Sequence, residues 1–418
     1  MARVVVVGGG FAGLSAAARL AKLRHDVTVV EESASLGGRM RGMEFDGHRF
    51  DLTSPLVTLP GVFRDLFRKS GRPMDRILGF EKVHGRRHLF TDASVLDLPL
   101  GNRGDQVRAL EEWAPETADW STWVDKSADT WDALRTVSLD HVFTGRDAFT
   151  SAQWKTLAVR RSVAKELSRI HLDERMGRII ADPLILDGYD PKRVPAFVAS
   201  SHYVERNFGL WAFDGGMPGL ISAMEQRLDE RSVTIVLDRK AHDVVLRDGD
   251  VTGVVVGADV IPADIVVWCA PTWPASLKAP HATPAIPASR AFLTLASPAP
   301  ALAIETHVHT DTPLRLFAND PTHVTVEHRG REDPLQALAR CGLDLTPHVV
   351  ARRDVGPAEL DALGHWGWQW QRWTTACSAP GLNPHGSLYF AGAHAHPGPT
   401  LELIGMATAA IAEAVGKA

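Results

Sequence analysis

The sequence predicts an α/β protein: buried strands followed by glycine turns and helices at both chain ends, and a middle that reads first helical and then strand-like. Three observations predict it. At the start, the β-branched run Val4–Val7 meets a glycine turn and then the Ala/Leu-rich stretch Leu14–Leu23. At the end, the strand-like run Ser387–Ala391 meets a second glycine turn and an Ala-rich helix reaching Ala414. The composition is that of an ordinary globular chain, 45% hydrophobic and 23% charged, and 418 residues are enough to bury more than one core.

The same arithmetic excludes several classes. With 45 basic and 50 acidic residues the net charge is -5, so no nucleic-acid footprint is expected. Cys269, Cys341 and Cys377 lie far apart, which gives neither a disulfide framework nor metal-ligand spacing. Such sparse cysteine use fits a reducing compartment, and a cytoplasmic location is expected. No apolar run reaches the roughly 18–20 residues of a membrane span. Met1-Ala2-Arg3 and the stretch after it resemble a signal peptide only superficially. Glycines interrupt the stretch, and Arg19, Lys22 and Arg24 follow it directly. His307 and His309 share a strand face near His323 and His328, but no spacing there demands a metal.

Each element at the start has a physical task. Gly8-Gly9-Gly10-Phe11-Ala12-Gly13 satisfies G-x-G-x-x-G between a strand and a helix. Gly8 permits the tight turn, Gly10 lets backbone approach a pyrophosphate, and Gly13 lets the helix lie close to the sheet. The helix N-terminus offers amides and a positive dipole end to phosphates. Val27–Val30 reads as the second strand and ends in Glu31-Glu32, placed to accept from a ribose 2′-hydroxyl. A carboxylate there disfavours a 2′-phosphate. Leu36-Gly37-Gly38-Arg39-Met40-Arg41 then adds a second close-approach turn with two cations for a diphosphate.

That second turn resembles the extended FAD signature of the flavin amine oxidase and phytoene desaturase superfamily. Four blocks match it in order: 8–60, 207–219, 233–271 and 387–414. Phe45–Leu52 reads as a hairpin, followed by Thr53-Ser54-Pro55, where phytoene desaturases have Gly-Pro in place of Thr53-Ser54. Gly215-Gly216-Met217 resembles the turn that returns the chain to the FAD domain. Ala241 and Ala270 match positions beside the dinucleotide. His396-Pro397-Gly398 is similar to the phytoene desaturase ending, and Leu401-Glu402 to the amine oxidase one. The resemblance implies a Rossmann-type FAD-binding domain of the amine oxidase, glutathione reductase-like kind, with an inserted α+β substrate domain. The expected division is 1–80, 206–275 and 376–418 for FAD, and 81–205 and 276–375 for substrate. Residues 105–205 look helical, 290–330 strand-like, and the Pro-rich stretches 271–287 and 298–300 read as connectors.

The resemblance implies FAD as cofactor, held by Gly8, Gly10, Phe11, Ala12, Gly13, Glu31, Glu32, Gly37, Gly38, Arg39, Met40, Arg41, Leu52, Thr53, Ser54, Ala241, Ala270, Gly392, Ala393, Thr400, Leu401 and Glu402. It also implies oxidation of an organic substrate by hydride transfer to flavin N5. Such chemistry asks the protein for orientation, exclusion of water and electrostatic tuning rather than a nucleophile. The last helix N-terminus would stabilise anionic reduced flavin. His394, His396 and Glu402 are the catalytic candidates, against plainer tasks as turn and dipole partners. Trp211, Phe213, Trp366, Trp368 and Trp370 are candidates for a wall facing a flat or apolar small-molecule substrate. Carbon–carbon desaturation is the first expectation and amine oxidation the second. Redox-neutral isomerisation or cyclisation, or a GDP-dissociation-inhibitor-like binding role, stays open, as does the electron acceptor, oxygen or quinone.

Overall fold

The computed structural model describes residues 1–418 except 115–117, 142, 144, 171, 279–282, 300–301, 365–366 and 370–385. A five-stranded parallel sheet holds the chain ends together. Its order is Thr234–Val236, Asp26–Val30, Arg3–Val7, Ile265–Trp268, Leu388–Phe390. Valine-rich strands suit its centre because both faces are covered. Val4 and Val6 pack with helices Phe11–Lys22 and Leu401–Val415, whereas Val5 and Val7 pack with hairpin strands Ala241–Arg247 and Asp250–Val256. In register, Val7 lies opposite Val30 and Trp268, and Trp268 opposite Phe390. The strands therefore end together, and the loops after them open along one edge, where such sheets bind ligands.

The second sheet has seven strands, in the order Val349–Val355, Ser289–Leu295, His323–His328, Leu314–Asp320, Glu305–His309, Gly85–Phe90, Val95–Pro99. Only Glu305–His309 and Gly85–Phe90 run parallel. One face carries the apolar residues Leu293, Val308, Leu316 and Val326 onto helix Pro334–Arg340. The helical layer over the other face includes Ala118–Leu134, Glu174–Leu186 and Ser201–Phe208. A small sheet of Leu56–Val57, Leu210–Phe213 and Phe80–Val83 joins the layers.

Two local expectations shift. The early hairpin pairs Met43–Phe45 with His48–Phe50 around Asp46-Gly47, starting before Phe45. Within the expected connector 271–287, Thr283–Ala285 is a strand paired with Gly367–Gln369.

Candidate functional site

The site grows from the glycine edge of the parallel sheet. Gly8 has φ +100°, and Gly13 lies so close that a Cβ there would sit 1.8 Å from the Gly8 carbonyl oxygen. Gly10 is different: a Cβ would meet nothing nearer than Gly38 Cα at 4.0 Å. The second glycine turn docks on the first, with Gly37 N–H donating to the Gly9 carbonyl at 2.8 Å. Helix Phe11–Lys22 starts with no side-chain cap and no acid in its first turn. No side chain therefore competes with a phosphate for the amides of Phe11, Ala12 and Gly13. Glu31 is buried and accepts from Gly9 N–H at 2.6 Å and Ser33 N–H at 2.9 Å. Ala270 borders the same turn, its amide nitrogen 2.9 Å from a Gly8 Cβ position. Ala241 is buried at the start of its hairpin strand.

The two arginines of the second turn diverge. Arg41 folds back, donating to the carbonyls of Gly38 and Leu363 at 3.2 Å each. Arg39 has an exposed side chain, yet burial of its surroundings lowers its pKa. The opposing charges that act on it are Asp187 and Glu327, from the helical layer and the seven-stranded sheet. It therefore projects into a recess facing those layers. Met40 is buried beneath it.

The loop at 51–54 is bolted to the seven-stranded sheet. Arg290 Nε donates to the Leu52 carbonyl at 3.2 Å, Thr325 Oγ1 to the Asp51 carbonyl at 3.1 Å, and Ser54 Oγ to Glu305. Thr53 and Ser54 are half-buried.

At the other end, Gly392 (φ +129°) turns the chain so that His394 lies beneath it. His394 is buried, and burial lowers its pKa to about 4. A ring N–H bonds the Trp268 carbonyl, while Nε2 has no hydrogen-bond partner. His396 Nε2 instead lies 2.9 Å from the Ser138 carbonyl, and its ring stacks on Phe143. That links the C-terminal loop to the helical layer and gives His396 a positioning task. Ala393 is half-buried beside them. Thr400 caps the last helix, with Leu401 next in line. Glu402 is buried, accepts from Thr58 N–H at 2.5 Å, and has its pKa raised by burial.

Several expected residues face elsewhere. Glu32 is half exposed and pairs with Lys240 at 3.0 Å, so only Glu31 turns to the glycine loop. Trp211 and Phe213 alternate onto the strand face that packs away from the helical layer. Phe213 is buried between Phe63 and Phe80. Trp211 lies under the exposed Arg64 guanidinium, 4.8 Å from its ring centroid. Trp366 and Trp370 lie outside the described residues, and Trp368 is described only as part of strand Gly367–Gln369.

A set of buried ions was not singled out from sequence. Arg86 donates to Glu305 at 2.5 Å and Glu205 at 3.1 Å. Burial opposes ionisation of Glu305, but Arg86 outweighs it and holds the carboxyl well below its usual value. Arg290 and Arg315 flank Glu327, and Arg315 reaches Asp187 at 3.2 Å. Burial pulls Arg290 down to about 10. The signal was the alternation Glu305-x-His307-x-His309 beside Arg86-x-His88, which puts polar groups on one sheet face. Among the described residues, no cluster could hold a metal ion.

The residues present fit a dinucleotide cofactor: open space at Gly10, uncapped amides behind it, and a buried lone pair at His394. The profile of the flavin containing amine oxidoreductase family matches residues 11–337. The chain is 32% identical over 281 residues to a 4,4'-diapolycopene oxygenase of Methylomonas sp, covering 63% of this chain and 55% of that one. It is 24% identical over 253 residues to a 4,4'-diapophytoene desaturase of Staphylococcus aureus, covering 58% and 50%. It thus spans about half the length of these curated relatives. Among solved structures, a putrescine oxidase variant superposes with TM-score 0.69 at 14% identity, covering 99% of this chain and 98% of that one. A fatty acid isomerase from P. acnes superposes with TM-score 0.60 at 13% identity, covering 99% and 98%. These two likenesses establish the fold. This chain belongs to the flavin containing amine oxidoreductase family, whose cofactor is FAD.

Proposed function

We propose that this protein is an FAD-dependent oxidoreductase that desaturates an apolar small molecule. The observation that carries the reading is the 281-residue similarity to a diapolycopene oxygenase, with a diapophytoene desaturase next. When bound, FAD supplies an acceptor at N5 for a hydride drawn from a substrate C–H bond.

The chain's part is to bind, orient and keep water out. Amides of Phe11, Ala12 and Gly13 receive the pyrophosphate, and Glu31 orients the loop that holds it. The 51–54 loop is fixed against the seven-stranded sheet, so the recess between the layers keeps its shape. His394 offers a neutral nitrogen lone pair rather than a charge, because burial keeps it unprotonated. Glu402 holds the Thr58 amide and fixes the last helix against the loop that follows strand Leu56–Val57.

Amine oxidation is the second reading. It is favoured by the match of residues 11–337 to the flavin containing amine oxidoreductase profile. Anaerobic rapid mixing with acyclic polyenes in detergent micelles and with aliphatic amines tests the two readings. Desaturation predicts loss of flavin colour with polyenes and a new carbon–carbon double bond in the product. Bleaching by amines alone would replace it with the second reading.

A further inference from the structure

The proposed binding and orienting tasks leave one outer face of the helical layer unused. Residues 151–170 hold five basic residues and one acidic one, in a chain whose net charge is -5. They form the short helices Ser151–Leu157 and Val163–Leu167. Leu157 and Val163 turn inward into apolar clusters, which leaves the polar positions outside. The segment 190–196 is tied to the second helix. Val163 N–H donates to the Val194 carbonyl at 2.9 Å, Ala164 N–H to that of Pro191 at 3.0 Å, and Ala196 N–H to that of Arg161 at 2.8 Å. Lys192 thus lies beside the helix of Lys165, and the turn that carries Val198 lies beside Arg161.

Lys155, Arg160, Lys165, Arg169 and Lys192 are all exposed, and none has an ion-pair partner among the described residues. The carboxylates close by are engaged. Glu166 pairs with Arg161 at 2.7 Å, Asp173 with Arg175 at 3.0 Å and Glu174 with Arg178 at 3.6 Å, while Asp190 accepts from the Lys192 amide at 2.9 Å. The free charge of the face is therefore mainly positive. Apolar groups stand among the cations: Trp154 is half-buried beside Lys155, and Val198 is 36% exposed. Leu167, Leu172 and Ile185 line a groove at the edge of the face, together with Glu174 and Asp311.

We propose that this face docks the protein on an anionic lipid surface. The unpaired cations supply attraction to the headgroups, and their aliphatic stems lie along the surface. Trp154, Val198 and the apolar groove edge supply the body that enters the headgroup boundary. A nucleic acid would engage the same cations but gains nothing from exposed Val198 and Ile185. The rest of the chain is acidic, so a negatively charged surface repels it and turns this face inward. No helix among the described residues is long and apolar enough to cross a membrane, so the contact is a peripheral one. The purpose of the docking rests on the oxidoreductase reading: an apolar substrate dissolves in the bilayer, and an enzyme seated there meets it.

Flotation of the full-length, FAD-loaded protein with lipid vesicles tests the docking. Vesicles of phosphatidylcholine with phosphatidylglycerol should carry the protein up the gradient, and phosphatidylcholine alone should bind it at least about tenfold more weakly. Raised salt should release it. Lys165→Glu combined with Arg169→Glu should weaken binding at least about tenfold. Both side chains are exposed, so the melting temperature and FAD content should stay those of the wild type. The same reversal at Lys22 and Lys69, exposed on helices beside the parallel sheet, should leave binding close to wild type. Equal binding to both vesicle types, binding to neither, or equal loss in the two double variants would overturn the docking. So would capture by single-stranded RNA in preference to the anionic vesicles. Binding is read without substrate, so a protein that docks yet oxidises nothing offered to it counts against the function proposed above. One that desaturates polyenes in micelles but never binds vesicles counts against the docking alone.

Discussion

Gly10 and Gly13 are three residues apart and do different work. A Cβ at Gly13 would collide with the Gly8 carbonyl oxygen at 1.8 Å, so Gly13→Ala should lose both the fold of the first sheet and FAD uptake. A Cβ at Gly10 enters open space, and its backbone at φ -75° and ψ -176° is extended, which any residue adopts. Gly10→Val should therefore melt with the apo wild type yet fail to quench flavin fluorescence on FAD addition. The buried histidines make a second prediction at this scale. Burial holds His394 and His307 near 4, against 6.5 when exposed. Above pH 6.5 both are neutral in either state. Below it the unfolded chain takes up protons that the fold refuses, so stability should fall between pH 6.5 and about 4, by about 3 kcal/mol for each histidine. Glu402 acts the other way: its raised value contributes at low pH and fades as pH rises through the folded value. Denaturant unfolding at several pH values reads the slope, and His394→Gln should remove its share.

At the scale of an element, strand Glu305–His309 shows both what could be read and what could not. Its position in the chain and its alternation were legible from the shared face of His307 and His309. The strand's partners were not, because Asp182 and His88 reach His309, and Arg86 reaches Glu305, through pairings between distant segments. The glycine-loop helix was legible because every determinant is local: a β-branched strand, fixed glycine spacing and an Ala-rich run. The same logic explains Trp211 and Phe213. Sequence put them beside Gly215-Gly216, but which strand face meets the recess depends on packing against Phe63 and Phe80. The Arg86 cluster tests how the strand is held. Arg86→Leu strands Glu205 and Glu305 without their cation and should cost about 3–5 kcal/mol in denaturant unfolding. Adding Glu305→Gln to that variant should recover part of the loss.

At the scale of the whole molecule, residues from both ends and the middle of the chain meet along one sheet edge. The glycine turns, Ala270 and the Gly392 loop border it because their strands end in register. That convergence was legible from the order of four short motifs. The seven-stranded sheet was legible only as a strand-rich region, since strand order carries no local signal. Its ionised face stands opposite Arg39, on which Glu327 acts as an opposing charge. The convergence itself is tested most directly by the cofactor content of the purified full-length chain. One FAD per chain, released only on unfolding and taken up again on refolding, is the predicted result. A colourless, folded protein that binds no added FAD would contradict it.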